Sequence, residues 1–121
     1  MRRKRKPYFR HLNCGVYPYD ILFTIGTTKE EVEKYIIEKC DYQLDEEEKV
    51  EIRFSGGGRF VRLKSGAMVL WVRTNTVDII AHEVFHATCS IMDSIGASLT
   101  DSSEESYAYL TEYIWKQILK K

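Results

Sequence analysis

Apolar and polar positions change period several times along the 121 residues. Residues 16–25 are dense in aromatic and β-branched side chains (Val16, Tyr17, Tyr19, Ile21, Phe23, Thr24, Ile25) and predict a strand ended by Gly26. Pro18 has no N–H for a ladder bond, so this strand is expected to start after it and to lie at an edge. The period then lengthens. Thr28 and Glu31 spell a capping box, and Val32, Tyr35 and Ile36 recur at helical spacing, predicting a helix of about 12 residues. The acid-rich stretch 41–49 (Asp45, Glu46, Glu47, Glu48) lacks the spacing of a calcium loop and reads as an exposed loop. Val50, Ile52 and Phe54 alternate as a strand up to Gly56-Gly57-Gly58. No Lys-Ser/Thr and no helix-opening GxGxxG accompanies those glycines, so they read as a flexible hairpin loop rather than a phosphate cradle. Residues 60–63 and 67–72 flank Lys64-Ser65-Gly66 as a second hairpin.

After Thr74-Asn75-Thr76 a helical period runs from Val77 to about Ile95, with Gly96 as its left-handed terminator. Asp101-Ser102-Ser103 caps a last helix from about Glu104 to Leu119, whose apolar stripe is Tyr107, Leu110, Ile114 and Ile118. The expected order is strand, helix, three strands, two helices. That pattern is an α+β domain: a small, mainly antiparallel sheet packed on an N-terminal helix and two C-terminal ones.

Composition changes the picture at one end. Lys and Arg number 18 and Asp and Glu 18, a formal balance that argues against a dedicated nucleic-acid binder. Six of the cations (Arg2, Arg3, Lys4, Arg5, Lys6, Arg10) fall in the first ten residues, with no acid among them. The other 111 residues carry 12 positive against 18 negative side chains, a net of −6. Residues 1–12 therefore read as a basic flexible tail, with at most a loose contact to nucleic acid, and 13–121 as one domain. No apolar run reaches the roughly 20 residues of a membrane helix, and no secretory core follows the basic start. Cys14, Cys40 and Cys89 make an odd set without a CxxC pair, which predicts no disulfide framework and a cytoplasmic home.

One constellation carries chemistry: His82-Glu83-Val84-Phe85-His86 on the second long helix. Two histidines four apart stand one turn above each other and can converge on a single Zn²⁺. Glu83 is angled to take a proton from a water that zinc makes acidic, as that water attacks a carbonyl. Ile79, Ile80, Val84 and Phe85 make the helix apolar on nearly all sides, so burial is expected, and buried imidazoles need a partner such as a metal.

A catalytic zinc needs a third protein ligand and an open position. An HExxHxxGxxH pattern would put Gly and His where Cys89 and Met92 stand, so it is absent. Asp93 lies two turns beyond His86, out of reach, and His11 falls in the expected tail. Cys89, one turn on, is a ligand in principle but more commonly a packed thiol. The first turn of the last helix offers Glu105, followed three residues later by the small Ala108, whereas Glu104 is turned about 100° away. Ser102-x-x-Glu105 is also a capping box, and one carboxylate cannot fully serve both roles.

His82-Glu83-x-x-His86, 18 intervening residues and then Glu105-Ser106-Tyr107-Ala108-Tyr109 resemble the gluzincin group of zinc metallopeptidases. Trp71-Val72-Arg73, residues 81–87 and Ala108-Tyr109-Leu110 are similar to small peptidase-like proteins of bacteriophages and prophages. The resemblance spans about residues 67–115 and implies a minimal zincin-like fold with one zinc per chain held by His82, His86 and Glu105. It implies a peptide or unfolded-protein substrate, Glu83 as general base, and the cytoplasm of a bacterial host. In zincins an edge strand above the site pairs with the peptide, and 67–72 is where that strand is expected, making Val69, Leu70 and Trp71 the substrate-binding candidates. Gluzincins also carry a His or Tyr that steadies the oxyanion from a separate subdomain. Here Tyr107, Tyr109 and Tyr113 are the candidates, although tyrosines at this spacing commonly serve the core. The competing expectation is a non-enzymatic, zinc-stabilised module of a phage operon, its site closed by a fourth ligand such as Cys89 or His11.

Overall fold

A computed structural model describes residues 6–120. Its elements, in chain order, are β1 (Tyr8–Cys14), β2 (Tyr17–Ile25), α1 (Lys29–Lys39), α2 (Glu46–Glu51), β3 (Gly58–Arg62), β4 (Met68–Val72), α3 (Val77–Ser94) and α4 (Glu104–Leu119). The four strands form one mixed sheet in the order β1-β2-β4-β3. Its outer pairs are antiparallel and its central pair, β2 with β4, is parallel.

The strand period of two sends alternate side chains to two cores. Ile21, Phe23, Met68, Leu70 and Val72 meet Ile80, Val84, Ala87 and Ile91 of α3 and Leu110 and Ile114 of α4. Leu22, Val61 and Val69 face the other way, against Val32 and Ile36 of α1, Leu44 and Ile52. The sheet thus lies between α1 with α2 on one face and α3 with α4 on the other, an α+β arrangement. Beneath it α3 runs against β3 and β4, and α4 against β1.

Several elements form where local chemistry predicted them. Thr28 accepts from the Glu31 amide at 3.1 Å while Glu31 accepts from the Thr28 amide at 2.9 Å, closing the expected capping box of α1. α3 ends in a Schellman pair: the Ala97 amide donates to Met92 O at 2.9 Å and the Gly96 amide to Asp93 O at 3.0 Å, with Gly96 at φ 77°.

Other expectations need correction. Residues 8–12 are not tail: they form most of β1, with Leu12 wholly buried, and Gly15 at φ 65° turns the chain directly into β2. Val16 sits in that turn, 93% exposed, instead of in a strand. β2 starts at Tyr17 and lies inside the sheet; Pro18 is tolerated because it falls beside the bulge, ahead of the residues that pair with β4. The run Arg2–Arg5 lies outside the described residues.

The acid-rich stretch is not all loop. Asp45 and Glu48 close a second capping box over α2, with reciprocal bonds of 2.9 and 3.2 Å. α2 displaces the strand expected at Val50, Ile52 and Phe54, of which Ile52 alone is fully buried. Phe54 instead stacks on Trp71 with ring centroids 4.7 Å apart. No helix among the described residues is long and apolar enough to cross a membrane.

Candidate functional site

His82, Glu83 and His86 share α3, which the Ile80, Val84, Ala87 and Ile91 stripe anchors to the sheet. The helical rise brings the two Nε2 atoms to 3.2 Å, with ring centroids 4.8 Å apart and planes at 71°. Both imidazoles are exposed, as is half of Phe85, so the expectation of a buried helix is corrected. Its apolar residues are numerous, but the sheet covers one flank and α4 another, leaving the His82–Phe85–His86 arc open. Burial is therefore not what gives these imidazoles a partner.

Their separation suits a metal. Two nitrogens bound to one tetrahedral Zn²⁺ at about 2.0–2.1 Å stand about 3.3–3.4 Å apart, close to the spacing present. The donor pair fits that ion.

Glu83 turns to the other side of α3 and is 6% exposed. It lies against the first residue of β3. A Cβ placed on Gly58 would come within 3.1 Å of Glu83 Cγ, 3.2 Å of Glu83 Oε2 and 2.8 Å of Ile79 Cγ2. One on Gly57 would meet Ile79 Cδ1 at 2.8 Å. These two glycines let β3 approach α3 closely, a role the sequence did not signal. They are not a flexible loop: the Arg73 amide and Nε donate to Gly57 O and Gly56 O, each at 2.8 Å. Arg62, at the other end of β3, donates to Ser90 O at 3.1 Å and to the Ser94 hydroxyl. β3 accordingly tracks the flank of α3 from Glu83 to Ser94.

The substrate-binding expectation is corrected by the same topology. Val69, Leu70 and Trp71 belong to β4, which pairs on both sides, and they are 1%, 0% and 2% exposed. No backbone group there is free to pair with a peptide. The strand with an unpaired edge beside α3 is β3.

Glu105 and Glu104 are both exposed in the first turn of α4. The capping box expected of Glu105 does not form: Ser103 is the N-cap, without a side-chain cap bond, and its hydroxyl donates to Ser98 O at 2.5 Å. That carboxylate is thus not held in a cap. Among the described residues no three His, Cys, Asp or Glu side chains converge on one point, so Glu105 is not joined to the histidine pair. Cys89 is partly buried and packs against the core, and burial pushes its thiol pKa up. His11 lies in β1, bonded through Nε2 to Tyr35 Oη at 2.8 Å, on the α1 side of the sheet.

The three tyrosines separate. Tyr107 is buried and donates to Ala97 O at 2.6 Å, anchoring the α3–α4 connection, and burial raises its hydroxyl pKa. Tyr113 points its ring at Gly15 in the β1–β2 turn, away from α3. Tyr109 is 64% exposed. No family model, curated protein or solved structure matches the chain. The geometry alone bears on function.

Proposed function

We propose that the chain is a zinc-dependent peptide-bond hydrolase with a minimal zincin-like architecture. The observation that carries the reading is the 3.2 Å separation of His82 and His86 Nε2 on an open helix face; Glu83, next in the chain to His82, lies on the flank of α3 that faces Gly58. His82 and His86 would hold the ion, and Glu105, which the structure leaves apart from the pair and free of a cap, would have to complete the set as third ligand. Zinc so held would acidify a water and polarise the substrate carbonyl.

This chain's own residues do the rest. Glu83 takes the water's proton and returns it to the leaving amine nitrogen. The wedge of Ile79, Gly57 and Gly58 limits where its carboxylate can swing. The free edge of β3, in place of β4, offers backbone N–H and C=O groups to an extended peptide, which favours unfolded chains over folded ones.

The alternative of a non-enzymatic zinc-stabilised module requires a closed site. Of its two candidate closing ligands, His11 lies across the sheet, bonded to Tyr35, and Cys89 packs against the core beneath α3. The test is cleavage of a denatured protein by wild type and Glu83→Gln, each analysed for bound zinc. Loss of cleavage with zinc retained is expected. Equal cleavage by both would sink the proposal, and zinc binding without cleavage by wild type would favour the module.

A further inference from the structure

The α3 arc that carries the two histidines also carries Phe85, 51% exposed between them. Phe85 forms one wall of a cavity of about 640 Å³ that extends to residues 99–101 and α4. Leu99 and Ala108 supply further apolar wall, and three exposed carboxylates, Asp101, Glu104 and Glu112, also line it. Among the described residues, Asp101 and Glu104 form no ion pair; Glu112 has Lys116 at 3.4 Å.

We propose that this cavity receives a lysine or arginine side chain of the substrate, next to the bond on which His82, Glu83 and His86 act. The inference rests on the hydrolase reading and names its substrate class. Carboxylates on a surface are ordinarily just solvated, and these three alone would indicate nothing. Their setting decides the matter: apolar walls that include Phe85, from the same helical turn as the two histidines, with acid groups and no Lys or Arg among the described lining residues. Lysine and arginine lay an apolar stem on such walls and present a charged head to the acids, and Phe85 offers its ring face to that head. A neutral aliphatic side chain would take the walls but leave the acids unmatched. An acidic one would be repelled.

The test is binding of blocked five-residue peptides to Glu83→Gln protein, which separates recognition from turnover. The peptides carry lysine, norleucine or glutamate at the centre, and backbone amide shifts report the position. Lysine is expected to bind about fivefold more tightly than norleucine, the scale of one or two exposed ion pairs. Glutamate is expected to bind worst, with shifts at Phe85, Leu99 and Ala108. Replacing Asp101 by Asn and both Glu104 and Glu112 by Gln is expected to bring lysine down to the norleucine level, as is about 0.5 M salt. Equal affinity for lysine and norleucine, shifts elsewhere, or a preference that survives the triple replacement overturns the proposal. A lysine preference in a protein whose wild type cleaves nothing would uphold the cavity and remove the hydrolase. Cleavage without a lysine preference would do the reverse.

Discussion

Replacing Gly58 by alanine tests whether Glu83 is wedged between α3 and β3. The added methyl would lie 2.8 Å from Ile79 Cγ2, 3.1 Å from Glu83 Cγ and 3.2 Å from Glu83 Oε2. Ile79 is branched at Cβ and in a helix, so its χ1 is nearly fixed and Cγ2 cannot swing aside. The methyl must therefore push α3 and β3 apart or displace Glu83. Overpacking of this kind costs about 1–3 kcal/mol. Gly58 does not have the positive φ of Gly15 or Gly66, so alanine recovers roughly 0.4–1 kcal/mol by restricting the unfolded chain. At mid-range, about 2 kcal/mol lost and about 0.7 kcal/mol recovered, the net loss is about 1.3 kcal/mol. For 121 residues a loss of 1 kcal/mol lowers Tm by about 4 °C, so a fall of about 5 °C is expected.

Gly57→Ala is the internal comparison. It meets Ile79 at Cδ1, the mobile end of the side chain, and is expected to cost less than Gly58→Ala. Thermal unfolding followed by circular dichroism measures both. Truncating Ile79 to alanine removes the obstructing carbons, so Ile79→Ala and Gly58→Ala together are expected to lose less than the sum of the two alone. A Gly58→Ala protein as stable as wild type, or additive losses in the double variant, would refute the wedge.

Leu12→Ala is expected to cost about 2–5 kcal/mol, because Leu12 is fully buried in β1; a loss below about 0.5 kcal/mol by urea denaturation would return residues 8–12 to the status of a tail. Asp45 is held below the usual carboxylate range, first by its bond to Lys64 and then by the Glu48 amide. Its stabilisation is thus present above that range and is lost as pH falls through its lowered folded value. Asp45→Asn keeps the cap but not the charge, so the stability gap between it and wild type, followed from pH 7 to 2, is expected to close on acidification; a pH-independent gap would contradict this. Glu105→Ala is expected to weaken zinc binding by more than the roughly 10–100-fold of losing an outer-shell partner. Unchanged affinity in competition with a chelator would remove Glu105 from the ligand set.

What could be read from the sequence was local. The capping box at Thr28 and Glu31, the Gly96 terminator and the Tyr107-Leu110-Ile114 stripe are fixed within one or two turns, and each is present. β1 was hidden because Arg10 and His11 continue the basic start, while the hydrophobicity that places the strand sits mainly in Leu12 and Cys14. α2 carried a capping signal at Asp45 and Glu48 that the surrounding acids masked. Parallel pairing of β2 with β4 joins residues far apart in sequence, and no local pattern encodes it.

The site divides in the same way. The spacing of His82 and His86 determines their convergence, which the sequence predicts. Their exposure depends on which flanks of α3 the sheet and α4 cover, and counting apolar residues around the helix gave the opposite expectation. The close approach at Gly57 and Gly58 exists only once β3 lies on α3. The edge strand was misplaced for a related reason: β4 is the most apolar strand because it is central, and it is enclosed on both sides.

On the proposed reading His82 and His86 hold a metal. Elemental analysis of protein purified without chelators, run beside His82→Ala and His86→Ala, tests it most directly. One zinc per wild-type chain, and substantial loss from either variant with the fold retained by circular dichroism, is the predicted result. Wild type free of zinc that also fails to take up added zinc at micromolar concentration, or variants that hold it as well as wild type, would contradict the account.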